Sequence, residues 1–181
     1  MANEYNIGIA NVVREYLESQ EWRFSWDEEK GLFTLGMNIH CKLKNCKIYI
    51  HIYKDGLLVR ALSPIYADVD DPDVMKRTSQ YLHLANYGLR NGNFEIDLSD
   101  GEIAYKAYAF FADEMPTVKM VERYVDITYF MMRDYGDGLV KVVFAGADPA
   151  QAIHEAEDDD DDDDSDDMLP IVTETDPSLL S

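Results

Sequence analysis

Residues 71–112 read DPDVMKRTSQYLHLANYGLRNGNFEIDLSDGEIAYKAYAFFA, and this stretch decides the fold. Asp71 suits an N-cap, and Pro72 suits the first helical position, where a missing N–H costs nothing. Val74, Thr78, Tyr81, Leu82, Ala85 and Leu89 recur at helical spacing. A helix is therefore expected over residues 72–87, closing near 89–92. Two alternating segments follow, residues 94–98 and 103–111, joined by Ser99-Asp100-Gly101. Asp-Gly readily takes the positive φ that tight hairpins need. The unit is a helix followed by a β-hairpin.

Toward the N-terminus, Ile9, Val12, Val13, Tyr16 and Leu17 form a stripe that predicts a helix over residues 6–20. Glu4, Arg14, Glu15 and Glu18 fall mostly on its other side. Trp22, Phe24 and Trp26 alternate with Arg23 and Ser25, the pattern of a strand with one apolar face. Residues 27–31 turn the chain. Phe33, Leu35, Met37 and Ile39 mark a second strand, and Ile48, Ile50 and Ile52 alternate with Tyr49, His51 and Tyr53 as a third. Lys54-Asp55-Gly56 is a hairpin turn, and residues 57–62 are a fourth strand. Ser63-Pro64 is expected to end it, since proline cannot continue a ladder. Residues 65–70 are read as a loop.

Toward the C-terminus, Met115-Pro116 precedes a helix expected over residues 117–133, with Val118, Val121, Tyr124, Val125, Thr128 and Met132 on one side. Residues 139–145 admit two readings. Their β-branched content suits a strand, while their place after Gly136-Asp137-Gly138 suits a helical turn. Asp148-Pro149 introduces a short helix over residues 150–156. The order is α-β-β-β-β-α-β-β-α. Short turns between consecutive strands make the sheet mostly antiparallel, and helices packed on it make the fold α+β.

The 181 residues, 46% of them hydrophobic, suffice for one domain with a real core. Formal charge is −20, unevenly spread. Thirteen acids and no Lys or Arg lie from Glu155 onward, leaving twenty-three acids against sixteen bases before it. The expected organisation is an α+β domain over residues 1–154 and an acidic tail over 155–181. Lys42, Lys44, Lys47 and Arg14 are scattered, so no basic patch invites nucleic acid. The start MANEYNIG has no secretory pattern, and no apolar run approaches a membrane span. A cytoplasmic protein without membrane contact is the expectation.

Within residues 81–111 the wording resembles the YbjN family. It runs from Asn86 in the late helix through Leu89-Arg90-Asn91-Gly92 and Asn93-Phe94-Glu95-Ile96-Asp97 to the acidic-glycine turn Asp100-Gly101. The order of elements is similar from residue 6 to about 155, and the acidic tail lies outside the resemblance. The resemblance implies a fold like that of the type III secretion chaperones, which are small acidic α+β proteins that bind extended segments of partners. It also implies a bacterial, non-enzymatic binding or regulatory module of the kind labelled sensory transduction regulator. It brings no catalytic residues, and the two tryptophans of the first strand have no counterpart in it. Because relatives often pair, a homodimer is among the expectations.

Residue chemistry points the same way. His40, Cys41, Cys46 and His51 have the ligand types of zinc but not its spacing, because adjacent or five-apart residues on strands face opposite sides. If residues 42–45 form a hairpin loop, Cys41 and Cys46 would face each other across a ladder. His83 has no nucleophile motif beside it, and Gly36, Gly56, Gly92 and Gly101 are each isolated. Asp68, Asp70, Asp71 and Asp73 read as helix capping ahead of a cation site. No cofactor and no metal are expected.

The aromatic residues carry the binding expectation. Tyr49, Tyr53, Tyr105 and Tyr108 lie on strands whose two faces are both apolar. Either the sheet's second face is covered by the last helix, or it is exposed for a protein partner or a second subunit. Secretion-type peptide holding is the alternative. The tail carries the aspartates Asp158, Asp159, Asp160, Asp161, Asp162, Asp163 and Asp164 in one self-repelling run. It reads as a solubilising segment, as a mimic that occupies a basic protein surface, or as an acidic tether. In the last case Met168-Leu169-Pro170-Ile171-Val172 and Leu179-Leu180 would return to the aromatic face.

Overall fold

The structure, a computed structural model, describes residues 5–112 and 114–160; the expectations for residues 161–181 lie outside it. Asn6 caps the first helix, its Oδ1 accepting from the N–H groups of Gly8 at 2.9 Å and Ile9 at 3.3 Å. This helix, α1 (Ile7–Ser19), buries Ile9, Val13, Tyr16 and Leu17 as the stripe requires. Four strands follow: β1 (Ser25–Asp27), β2 (Leu32–Asn38), β3 (Asn45–Ile52) and β4 (Gly56–Tyr66). Asp71 caps α2 (Pro72–Ala85), accepting from Asp73 and Val74. The hairpin is β5 (Asn93–Ile96) and β6 (Glu102–Phe110), and α3 (Val118–Asp134), α4 (Gly136–Ala145) and α5 (Pro149–Asp160) complete the described fold.

The six strands form one antiparallel sheet in the order β1-β2-β3-β4-β6-β5. The class is therefore α+β, with the expected order of elements followed by two further helices. Period two sorts each strand into two sets. Phe33, Leu35 and Met37, Ile48, Ile50 and Ile52, Leu57, Val59 and Ala61, and Tyr105, Ala107 and Ala109 share one core with the helices. α3 lies over β4 and β6 and packs against α1. α2, α4 and α5 pack on one another near β5.

Several local expectations are corrected. Of residues 22–26, only Ser25 and Trp26 pair with β2, followed by Asp27; Trp22 is buried by an edge contact with Tyr16 before the strand begins. Pro64 does not end β4. The ladder with β3 stops at Leu62, so Pro64 has no neighbour there that needs an N–H, and the register shifts between Leu62 and Tyr66 on the β6 side. Residues 139–145 are helical. Gly136 and Gly138 lie inside α4 at close approaches: a Cβ on Gly138 would meet the Tyr81 hydroxyl at 2.3 Å, and one on Gly136 the Cys41 sulfur at 2.6 Å. Cys41 and Cys46 are not opposed across a ladder. Cys46 pairs with Met37 in β3 and is buried, Cys41 sits in the loop, and both are free thiols. Residues 155–160 continue α5 rather than beginning a separate tail.

Two positions fix the β5–β6 unit. Gly101 has φ +78°, and a Cβ there would lie 1.9 Å from the Ala67 carbonyl oxygen, so only glycine fits. Asn86, at the end of α2, grips the edge strand. Its Oδ1 accepts from the Phe94 N–H at 2.7 Å, and its Nδ2 donates to the Phe94 carbonyl at 3.0 Å. The side chain thus stands where another strand would pair and closes the edge.

Candidate functional site

The second set of sheet residues has no helical cover among the described residues. Tyr49, His51, Leu58, Leu62, Tyr108 and Phe110 belong neither to the hydrophobic core nor to the side chains packed against it. The last helices pack on α2 instead, so the alternative in which the last helix covers this face does not hold. Register lays the outer residues out in rows. Leu32, His51, Leu58 and Tyr108 are cross-strand neighbours, as are Thr34, Tyr49, Arg60, Lys106 and Asn93. Gly56 faces Phe110 at the end of the sheet.

That end is the most exposed apolar part of the face. Tyr53 is 43% exposed, Tyr108 48% and Phe110 64%. The Tyr53 and Tyr108 rings meet edge to face at 6.0 Å, and the Tyr108 hydroxyl donates to Asp55 Oδ1 at 3.3 Å. Gly56 leaves a notch beneath them; a Cβ there would strike the Ala109 carbonyl oxygen at 2.2 Å and the Tyr108 hydroxyl at 2.9 Å. Leu58, beside Tyr108, and Tyr66, 46% exposed, extend the apolar surface along β4.

The centre of the face is ionic. Arg60 Nη2 reaches Glu102 at 2.6 Å and its Nε reaches Glu95 at 3.2 Å, while Lys106 bonds the other Glu95 oxygen. Lys47 lies over the Tyr49 ring. On β3 to β6 the outer set thus carries Lys47, Arg60 and Lys106 against Glu95 and Glu102, a small positive surplus on a chain of −20. Burial, then the Arg60 charge, lowers the His51 pKa, so its imidazole is neutral near pH 7. Burial, then Asp55, raises the Tyr108 pKa, so its hydroxyl stays protonated as a donor.

Three of the four expected tyrosines, Tyr49, Tyr53 and Tyr108, share this face. Tyr105 does not. It is 1% exposed on the core side, where its hydroxyl donates to the Asn91 carbonyl and its ring meets Phe94 edge to face. Phe110, Leu58 and Tyr66 were missed as site residues, although the alternation that places Tyr108 outward also places Phe110 and Leu58 there. Asp158, Asp159 and Asp160 lie in the last turn of α5, and Asp161 to Asp164 lie outside the described residues. His51 is on the outer face, Cys46 on the inner one, and His83 is exposed on α2. Among the described residues no group of three or more His, Cys, Asp or Glu is placed to hold a metal ion. Asp68 and Asp71 spend their carboxylates on local N–H groups.

Chemically, the face offers a strip of aromatic area beside a paired ionic centre. No helix among the described residues is long and apolar enough to cross a membrane. No protein-family model and no curated protein matches the chain.

Proposed function

We propose that the chain is a non-enzymatic, cytoplasmic protein-binding or regulatory module of the YbjN type, and that the outer sheet face receives a segment of a protein partner. The observation that carries this is the strip Tyr53, Tyr108 and Phe110, about half exposed and excluded from the core. Large aromatic side chains left in water side by side on one strip of a sheet face mark an interaction surface. Tyrosine and phenylalanine would supply most of the affinity, and the Arg60–Glu95–Glu102–Lys106 cluster would set orientation. The acidic balance supports protein rather than nucleic acid as the partner. The resemblance in residues 81–111 supports the same kind of module, with a secretion-chaperone-like sheet and helix arrangement.

The test is affinity capture from extracts of the source cells with wild-type chain and with Tyr53→Ser/Tyr108→Ser/Phe110→Ser. The expected result is a discrete protein held by wild type and reduced about tenfold or more by the variant, since truncating anchors of this kind costs at least ~2 kcal/mol. Equal retention by the two proteins would sink the reading.

A further inference from the structure

We infer that the outer face has an occupant within the same chain: residues 168–172, laid against the Tyr53–Tyr108–Phe110 strip as a competitor for the partner. This rests on the reading of the face as a docking surface.

The exit point of the chain favours it. Glu157 of α5 lies 3.5 Å from the Tyr135 hydroxyl, and the Tyr135 ring packs on Phe94 of β5 with centroids 5.5 Å apart. The described chain therefore ends, at Asp160, close to the β5 edge of the sheet. Asn86 blocks that edge at Phe94 against strand addition, which leaves the route around it to the outer face. The seven residues 161–167 span at most about 23 Å when extended. Strands lie about 4.8 Å apart, so β6, β4 and β3 fall within roughly 15 Å of β5. The strip lies a further three to five residues, about 10–17 Å, along the strands from the row of Phe94 and Tyr105. Met168 therefore reaches the outer face, and Ile171 and Val172, about 36 Å or more of extended chain from Asp160, reach the strip.

Composition and charge favour it as well. The tether is acidic throughout except for Ser165, and it would cross the outer residues of β3 to β6, where Lys47, Arg60 and Lys106 stand against Glu95 and Glu102. Met168, Leu169, Ile171 and Val172 then supply the only apolar cluster of the chain beyond residue 160 with enough area to meet the aromatic strip, apart from the short Leu179-Leu180 pair. A second copy is the weaker occupant, because each copy brings another −20 of charge to the encounter. A short tether holds its end at about millimolar effective concentration. A segment that binds in trans with a Kd of about 0.1 mM would then be docked roughly nine-tenths of the time and weaken partner capture about tenfold.

The experiment uses the full chain in three forms: wild type, the tail variant Leu169→Asp/Ile171→Asp, and the face variant Tyr108→Ser/Phe110→Ser. Amide shifts are recorded by NMR at two protein concentrations a factor of ten apart. The expected result is a set of shift differences between wild type and tail variant confined to β3, β4 and β6, the same at both concentrations. Partner capture by the tail variant should rise about tenfold. Unchanged sheet shifts overturn the inference, and differences that vanish on dilution overturn it in favour of a second copy. Loss of partner by the face variant alongside unchanged shifts leaves the docking reading standing and rejects only the tail. Retention of partner by the face variant rejects the docking reading itself.

Discussion

Asn86→Ala removes the two-point grip on β5. Phe94 is 4% exposed; its N–H donates to Asn86 Oδ1 at 2.7 Å, and its carbonyl accepts from Asn86 Nδ2 at 3.0 Å and from Asn93 Nδ2 at 3.1 Å, so the substitution orphans the N–H alone. A buried backbone group left without a partner costs about 1–3 kcal/mol. Asn93 and Glu95 on either side are half-exposed, so water would relieve part of that cost. The expected loss is about 1–2 kcal/mol, a sizeable share of the 5–15 kcal/mol typical of a domain. Asn86→Asp keeps the acceptor for the Phe94 N–H but sets a carboxylate against its carbonyl, so it should recover only part. The assay is urea unfolding followed by Trp22 and Trp26 fluorescence, with m unchanged and the midpoint lowered. Hydrogen exchange should show the Phe94 amide losing protection before the amides of β6. A stability loss under about 0.5 kcal/mol with Phe94 still protected would refute the argument that this side chain substitutes for a neighbouring strand.

Three further outcomes are expected. Asp126 packs half-buried beside the Tyr16 hydroxyl, and burial, then Glu122, pushes its pKa up to about 6. A folded pKa above the unfolded one favours the protonated form in the fold, so this contribution is present below pH 4 and lost as pH rises through 6. Asp126→Asn should therefore raise stability at pH 7 by about 1 kcal/mol, after discounting for solvent screening, and the gain should vanish near pH 4 in urea titrations. Thr78 is fully buried with an unpartnered hydroxyl, so Thr78→Val should raise Tm by a few degrees, about 1 kcal/mol. Gly101→Ala should cost about 2 kcal/mol or more, through left-handed strain and the collision with Ala67, read as a lowered urea midpoint.

Most of the architecture was legible because it is written in local chemistry. The Asp71-Pro72 cap, the Asp-Gly turns at residues 55–56 and 100–101, and the period of two in β2, β3, β4 and β6 each fix an element without help from distant residues. What was not legible depended on tertiary neighbours. The run Leu139-Val-Lys-Val-Val-Phe144 has strand composition, yet α4 is helical because its buried side, Leu139, Val142 and Val143, joins the core beside α2 and α5. Burial there overrides β propensity. Pro64 read as a stop because the sequence does not show that the β3–β4 pairing has already stopped at Leu62. The grip of Asn86 on Phe94 was not legible because the two meet only once the hairpin folds back. At the site, alternation alone separates Tyr105 from Tyr108. Whether the outer set is covered depended on where α4 and α5 pack, and no local pattern encodes that.

The central claim is that the outer sheet face is a docking surface and the helical face is not. A photo-crosslinking amino acid placed at Tyr108 tests it against the same probe at Phe144, another aromatic side chain, 68% exposed, on α4. The account predicts crosslinked adducts from position 108 in the source cells, to another protein or to residues beyond 160, and few from position 144. Equal yields at the two positions, or adducts at 144 alone, would contradict it.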